Sequence, residues 1–247
     1  MLKTTIIPLI DLTYLPDTFN HEKDEAEIVK LCESASSELG TVAALCVHPH
    51  YVAFTKQELA KRGLTIPVAT VVNFPSGDES IESVSESIQF SLAAGANEID
   101  IVMPYKKLHE GRVGEISDFL QRCKNLLPKN VLLKVIIESG VLTLDEVRAA
   151  TEIVCDIEAA FVKTSTGKIK DKGASIEAVN VMLDMLSKHK QAGGLVCGLK
   201  ISGGVSIKNV DAFLSRVNEV MGNTFINQTT LRFGSSALLS QLGAWQE

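Results

Sequence analysis

The 247-residue chain contains no CxxC pair, and its five cysteines (Cys32, Cys46, Cys123, Cys155 and Cys197) are scattered along it. An odd, dispersed set argues against a disulfide framework and fits reduced thiols in a cytoplasmic setting. There is no surplus of positive charge: the formal net charge is −6, which excludes nucleic-acid binding through a general basic surface. No stretch reaches the roughly 18 apolar residues of a membrane span. The opening "MLKTTIIPLIDLT" is broken by Pro8 and Asp11 and is too short for a signal peptide. The segment "DLTYLPD" holds no glycine where a doubly wound nucleotide-binding sheet would place its glycine-rich turn. A Walker loop is excluded as well, because Val162 occupies the first-glycine position and Ile169 follows "GK". These absences leave a soluble cytoplasmic protein without nucleic-acid or membrane partners.

What the sequence does have is rhythm. Short apolar runs recur at 5–11, 42–48, 67–74, 98–103, 131–139, 159–165, 195–202 and 229–235. They are nearly continuous in hydrophobicity, as strands of a parallel sheet with a covered outer face are. Between them lie segments with helical spacing. One runs from Asp78 to Gly95, with Ile81, Val84, Ile88 and Leu92 on one face. Thr143 and Glu146 have the spacing of a capping box, and Ser175 opens a segment that closes on basic residues. Eight strands alternating with helices, without a linker or low-complexity segment, predict a single-domain (β/α)8 barrel over 1–247.

Active sites of such barrels sit at the C-terminal ends of the strands. The polar residues expected there are Asp11, Cys46, Asn73, Asp100, Glu138, Lys163, Lys200 and the "FGSS" at 233–236. Lys163, in "FVKTSTGK", stands in an apolar strand where lysines are rarely buried without a partner or a use. It either forms a Schiff base with a carbonyl substrate, or snorkels from the strand end, or pairs with a structural acid. Lys200, in "GLKISGG" on the next strand, brings a second amine, whose charge favours a neutral nucleophile beside it. An ordinary lysine, with a pKa of about 10.4, leaves only about one amine in a few thousand neutral at pH 7. A fall of about 3, worth about 4 kcal/mol, makes it a competent nucleophile. Asp100 in "EIDIVMPY" supplies a carboxylate, either for proton transfer or to neutralise a lysine. "TGK" (166–168), "SGG" (202–204) and "FGSS" supply glycines in consecutive loops of the kind that hold phosphate. "HPH" (48–50) lacks further metal ligands at suitable spacing, Cys46 reads equally as a small buried hydrophobe, and "YKKLHEGR" (105–112) reads as a solvated loop.

The pieces "EIDIVMPY", "KVIIESG", "FVKTSTGK", "KISGGV" and "RFGSSALL", in this order, resemble the deoxyribose-phosphate aldolases, and the resemblance runs from "DLTYL" to "RFGSS". It implies a class I aldolase that needs no cofactor or metal. The reaction would cleave 2-deoxy-D-ribose 5-phosphate reversibly to acetaldehyde and D-glyceraldehyde 3-phosphate in deoxyribonucleotide breakdown. It further implies Lys163 as Schiff-base lysine, Lys200 as the tuning amine and Asp100 as proton-transfer carboxylate. Asp11, Thr13, Cys46 and Thr166 would line the substrate pocket, and Gly167, Lys168, Gly203, Gly204, Gly234 and Ser236 would hold the phosphate. A homo-oligomer, a dimer in the first instance, is expected. Some family members carry arginine where this chain has Ser206, or serine where it has Ala237, so its phosphate site is thinner. Some end in a tyrosine, whereas this chain ends in "GAWQE". Another Schiff-base sugar-phosphate aldolase or a transaldolase-like barrel is the nearest alternative. A barrel isomerase would rely on Glu138 instead, and a non-catalytic phosphate binder would have no use for paired interior lysines.

Overall fold

The structure, a computed structural model, describes residues 2–244; the "WQE" that closes the chain lies outside the described residues. Eight parallel strands close into a barrel: β1 (Ile10–Tyr14), β2 (Ala44–Val47), β3 (Val68–Val72), β4 (Glu98–Val102), β5 (Leu132–Ile136), β6 (Phe161–Lys163), β7 (Gly198–Ser202) and β8 (Leu231–Ser235). Each strand pairs with its sequence neighbours, and β8 closes against β1. The (β/α)8 expectation holds.

The helices follow the strands: α1 (His21–Ser34), α2 (Val52–Lys61), α3 (Ile81–Ala93), α4 (Val113–Asn125), α5 (Leu144–Asp156), α6 (Ile176–Gln191), α7 (Val210–Met221) and α8 (Leu238–Ala244). Their starts are written in capping residues. Asn20, Ser80, Thr143 and Ser175 each accept a bond from the amide three residues on. At Thr143 the Glu146 side chain returns the bond, completing the capping box. The predicted helix at Asp78 begins only at Ile81, because Ser80 is its cap.

Strand side chains alternate, and the two faces differ in kind. Outward residues such as Leu12, Val135, Ile201 and Phe233 join one large apolar core with Val84, Ile88, Val147 and Met182 of the helices. Inward, Ala44, Cys46, Ala69 and Val71 make a small apolar patch on one side of the barrel. The opposite side of the interior is ionic.

The first strand is the largest departure from the sequence reading. Residues expected as strand 5–11 form instead a short helix, Leu2–Ile6, and a 3-10 turn, Ile7–Leu9; the strand is Ile10–Tyr14. Pro8 has no amide to give to a ladder and favours a turn. Ile6, Ile7 and Leu9 are nonetheless buried, so the apolar run reports burial and not pairing. "YKKLHEGR" is also more than a solvated loop: Tyr105 and Leu108 are buried, and Lys106–His109 makes one helical turn.

Gly198 shows how tightly the floor of the barrel is filled. A methyl group there would lie 2.5 Å from the Phe161 ring and 2.9 Å from the Thr230 carbonyl oxygen. Gly198→Ala is expected to overpack the interior and destabilise by about 1–3 kcal/mol, whereas Thr143→Ala should remove only a cap, about 1 kcal/mol. Denaturant midpoints of the two variants check this order.

Candidate active site

The register of the barrel decides which interior charges meet. Asp100 on β4 lies beside Lys134 on β5, and Lys163 at the end of β6 lies beside Lys200 on β7, which in turn lies beside Arg232 on β8. All point to the axis, where long side chains converge. Asp100 becomes the hub: its Oδ2 accepts from Lys163 Nζ at 2.8 Å and from Lys200 Nζ at 2.7 Å, and its Oδ1 accepts from Lys134 Nζ at 2.9 Å. Asp11 on β1 is a second hub. It accepts from Lys134 Nζ at 2.9 Å and Arg232 Nη1 at 2.5 Å, and Lys200 Nζ stands 2.5 Å from its Oδ2. Beneath both, Glu98 meets Arg232 Nη2 at 3.3 Å and Lys134 Nζ at 2.5 Å, the latter off the line of a hydrogen bond. Arg232 also lies over the Phe161 ring, 5.5 Å from its centroid.

The charges add up with one amine to spare. Asp11, Glu98 and Asp100 face Lys134, Lys200 and Arg232, three against three, before Lys163 is counted. Burial pulls Lys163 below the usual lysine range; Asp100 opposes this, and the charge of Lys200 adds to it. For Lys200 and Lys134 burial acts the same way, but the carboxylates of Asp100 and Asp11 outweigh it and hold both above the ordinary value. Asp100 and Asp11, although buried, are kept well below the carboxylate range by the surrounding cations. The site therefore favours loss of the proton from Lys163 before Lys200. Desolvation is the first cause of the lowered proton affinity of Lys163, and the neighbouring charge of Lys200, which the sequence alone suggested, is a smaller one.

Lys163 is the member of this set that lines the cleft at the C-terminal ends of the strands. It is 4% exposed and forms part of the floor of a cleft of about 580 Å³ at the C-terminal ends of the strands. Thr13, Thr166, Gly167, Lys168, Gly203, Gly204, Gly234 and Ser236 all line the same cleft. Ser206 and Ala237 line it too, so the two departures from the family pattern face the cavity. Asp100, Lys200, Asp11 and Cys46 are fully buried behind the cleft floor. Burial pushes the Cys46 thiol up, with Lys200 opposing, so it sits there as a neutral side chain.

The loops that form the cleft interlock backbone on backbone. Gly203 (φ 90°) approaches Gly173 so closely that a methyl group on Gly203 would lie 2.9 Å from the Gly173 Cα. The Ala174 amide donates to the Gly203 carbonyl at 3.0 Å, and the Ser139 amide to the Thr164 carbonyl at 2.8 Å. Lys168 reaches across the mouth: its Nζ donates to the Leu15 carbonyl and to Asp17, each at 2.5 Å. His48 holds the same strap through the Pro16 carbonyl at 3.0 Å and stacks on His50, which accounts for "HPH".

Sequence reasoning missed three contributors. Lys134, Glu98 and Arg232 stand in apolar strands in phase with Ile136, Asp100 and Gly234, and a charge at such a position is itself the signal. Glu138, which the sequence offers as a strand-end acid and as the base of an alternative isomerase, takes a different part. It is buried in the left-handed region (φ 56°) and accepts from the Thr166 hydroxyl at 2.5 Å and its amide at 3.2 Å, anchoring the "TGK" loop.

Known proteins share this architecture. A protein from Toxoplasma gondii ME49, provisionally named deoxyribose-phosphate aldolase, superposes with a TM-score of 0.86 at 23% identity, over 100% of this chain and 98% of its own. One from Coccidioides immitis with the same provisional name gives 0.80 at 29% identity, over 98% and 85%. The tetrameric deoxyribose phosphate aldolase from Aeropyrum pernix gives 0.72 at 24%, over 98% and 91%. The likenesses at 23% and 24% speak for the fold alone. The sequence pattern of the DeoC/LacD family aldolases, however, matches residues 5–239, almost the whole barrel with every residue of the ionic cluster inside it. This chain belongs to the DeoC/LacD aldolase family.

Proposed function

We propose that this chain is a deoxyribose-phosphate aldolase working through a Schiff base on Lys163. The observation that carries the reading is a buried amine whose proton affinity is lowered, at the floor of a glycine-walled cleft, in contact with a carboxylate shared with a second lysine whose proton affinity is raised. Reaction would begin when Lys163 Nζ attacks the C1 aldehyde of open-chain 2-deoxy-D-ribose 5-phosphate and water leaves. The iminium so formed draws electrons from the C2–C3 bond. As the C3 hydroxyl gives up its proton, that bond breaks, D-glyceraldehyde 3-phosphate departs, and an enamine remains on Lys163. Protonation at C2 and hydrolysis of the imine then release acetaldehyde and the free amine.

Asp100 and Lys200 are suited to move these protons, since one is an anion and the other a cation held in contact at 2.7 Å. Asp11 holds Lys200 from below, and Thr13, Cys46 and Thr166 shape the surroundings of the substrate. Gly167, Gly203, Gly204, Gly234 and Ser236 would receive the phosphate, with Lys168 turning from Asp17 to the anion. Such a reaction belongs in the breakdown of deoxyribonucleotides, in the cytoplasm. A homo-oligomer fits the family, the Aeropyrum pernix protein being tetrameric.

Three measurements test this reading. Acetaldehyde followed by borohydride should leave an ethyl group on the peptide carrying Lys163, with or without a chelator; labelling elsewhere only would refute the Schiff base. Lys168→Met removes a charged hydrogen bond of about 1.5–3 kcal/mol. It should therefore lower kcat/KM for the phosphorylated sugar roughly 10- to 100-fold while barely affecting unphosphorylated 2-deoxyribose; equal losses would place the phosphate elsewhere. Lys200→Leu strips the cationic neighbour from Lys163 and leaves Asp100 to favour its protonated form. Turnover should fall steeply, and the residual activity should rise toward alkaline pH as the amine loses its proton. A normal pH profile with normal turnover would make Lys200 a bystander.

A further inference from the structure

Lys134 and Glu98 are buried below Lys163 and Lys200, outside the cleft. The ionisable groups that face the barrel axis come from every side of it. Asp11 lies on β1, Cys46 on β2, Glu98 and Asp100 on β4, Lys134 on β5, Lys163 on β6, Lys200 on β7 and Arg232 on β8, while Glu138 sits at the rim above. Glu138 is occupied by Thr166 and is common to every comparison below. In the floor, the three carboxylates and the three cations other than Lys163 balance. A proton on Lys163 would leave one uncompensated positive charge where water is scarce, which is costly. Removing any one charge from the floor should therefore be answered by the group that titrates most easily. That group is Lys163, at the cleft edge, bound to the shared carboxylate of Asp100.

Resting on the reading of Lys163 as nucleophile, we propose that Lys134 and Glu98 are positioning residues whose opposite charges, relayed through Asp100, set the pH at which Lys163 gives up its proton, Lys134 favouring the neutral amine and Glu98 the protonated one. Neither touches substrate. Lys134 connects all three carboxylates, at 2.9 Å from Asp11, 2.5 Å from Glu98 and 2.9 Å from Asp100, so its charge bears on the hub that holds Lys163. If Lys134 were only a staple of the fold, its loss would lower stability and leave the titration of Lys163 where it was.

The test uses charge compensation in the full chain. Lys134→Met leaves two cations against three carboxylates, and Lys163 should hold its proton to higher pH. Glu98→Gln leaves three against two, and Lys163 should lose its proton at lower pH. The double variant, two against two, should return to the wild-type titration. Two readouts follow Lys163: the acid limb of kcat/KM for 2-deoxyribose 5-phosphate cleavage, and the pH dependence of Lys163 acetylation by acetic anhydride, measured by peptide mass spectrometry. The single variants should shift the midpoint by about one pH unit in opposite directions, a tenfold change in the protonation equilibrium. Acetylation needs no imine, so it tests the charge balance even if borohydride trapping fails and the Schiff-base reading falls. Circular dichroism shows which variants fold. Should Lys134→Met not fold, the near-isosteric Glu98→Gln decides against the double variant. An acid-side shift that the double variant removes supports the proposal; unmoved titration in Glu98→Gln overturns it, as does a double variant that fails to return.

Discussion

One carboxylate organises this molecule. Asp100 accepts from Lys134, Lys163 and Lys200 at 2.7–2.9 Å in a fully buried position. Burying ions is expensive unless each finds partners, and removing one member strands the others. The barrel meets this constraint by placing its acids on β1 and β4 and its cations on β5 to β8, so that each acid spans to several cations across the axis. The other side of the interior, with Ala44, Cys46, Ala69 and Val71, is small and apolar. That leaves room for long charged side chains to cross.

From this arrangement the chemistry follows in order. An ionic floor that is already balanced has no use for a further proton, and Lys163 is the group left over. It is also the group that reaches the cleft. The amine with the lowered proton affinity and the cleft-facing position thus coincide for two separate reasons, one electrostatic and one of register: Lys163 is the last residue of its strand, whereas Lys200 is followed by two more strand residues. The interlocked glycines of the 138–140, 164–174 and 203–204 loops then hold the upper wall of the cleft at a constant distance from that amine. Glu138, strained into the left-handed region, ties the Thr166 loop to the same frame.

Much of this was legible in the sequence. The alternation of apolar runs with capped amphipathic segments specified the barrel, because each element carries its own period and its own stop signals. Lys163, Lys200 and Asp100 were legible because charges inside apolar strands are rare enough to demand an explanation. The first strand was misplaced because hydrophobicity reports burial, and Ile6, Ile7 and Leu9 are buried in a helix and turn without joining the sheet. Lys134, Glu98 and Arg232 carried the same signal as Lys163 but lay away from the strand ends, where attention to catalysis is drawn.

By itself the sequence determined the period, the caps, the order of strands and the candidate amine with its neighbour. Which lysine is pulled below its ordinary range was decided only by the tertiary structure. Three carboxylates and four cations from six different strands are brought within hydrogen-bonding reach only when the sheet closes, and the protonation of each depends on all the others. The same closure sank Asp11 and Cys46 behind the cleft floor and turned Lys168 toward Asp17 across its mouth. Local patterning acts over a few residues; these charges are up to 221 positions apart in the chain and meet only across the barrel axis.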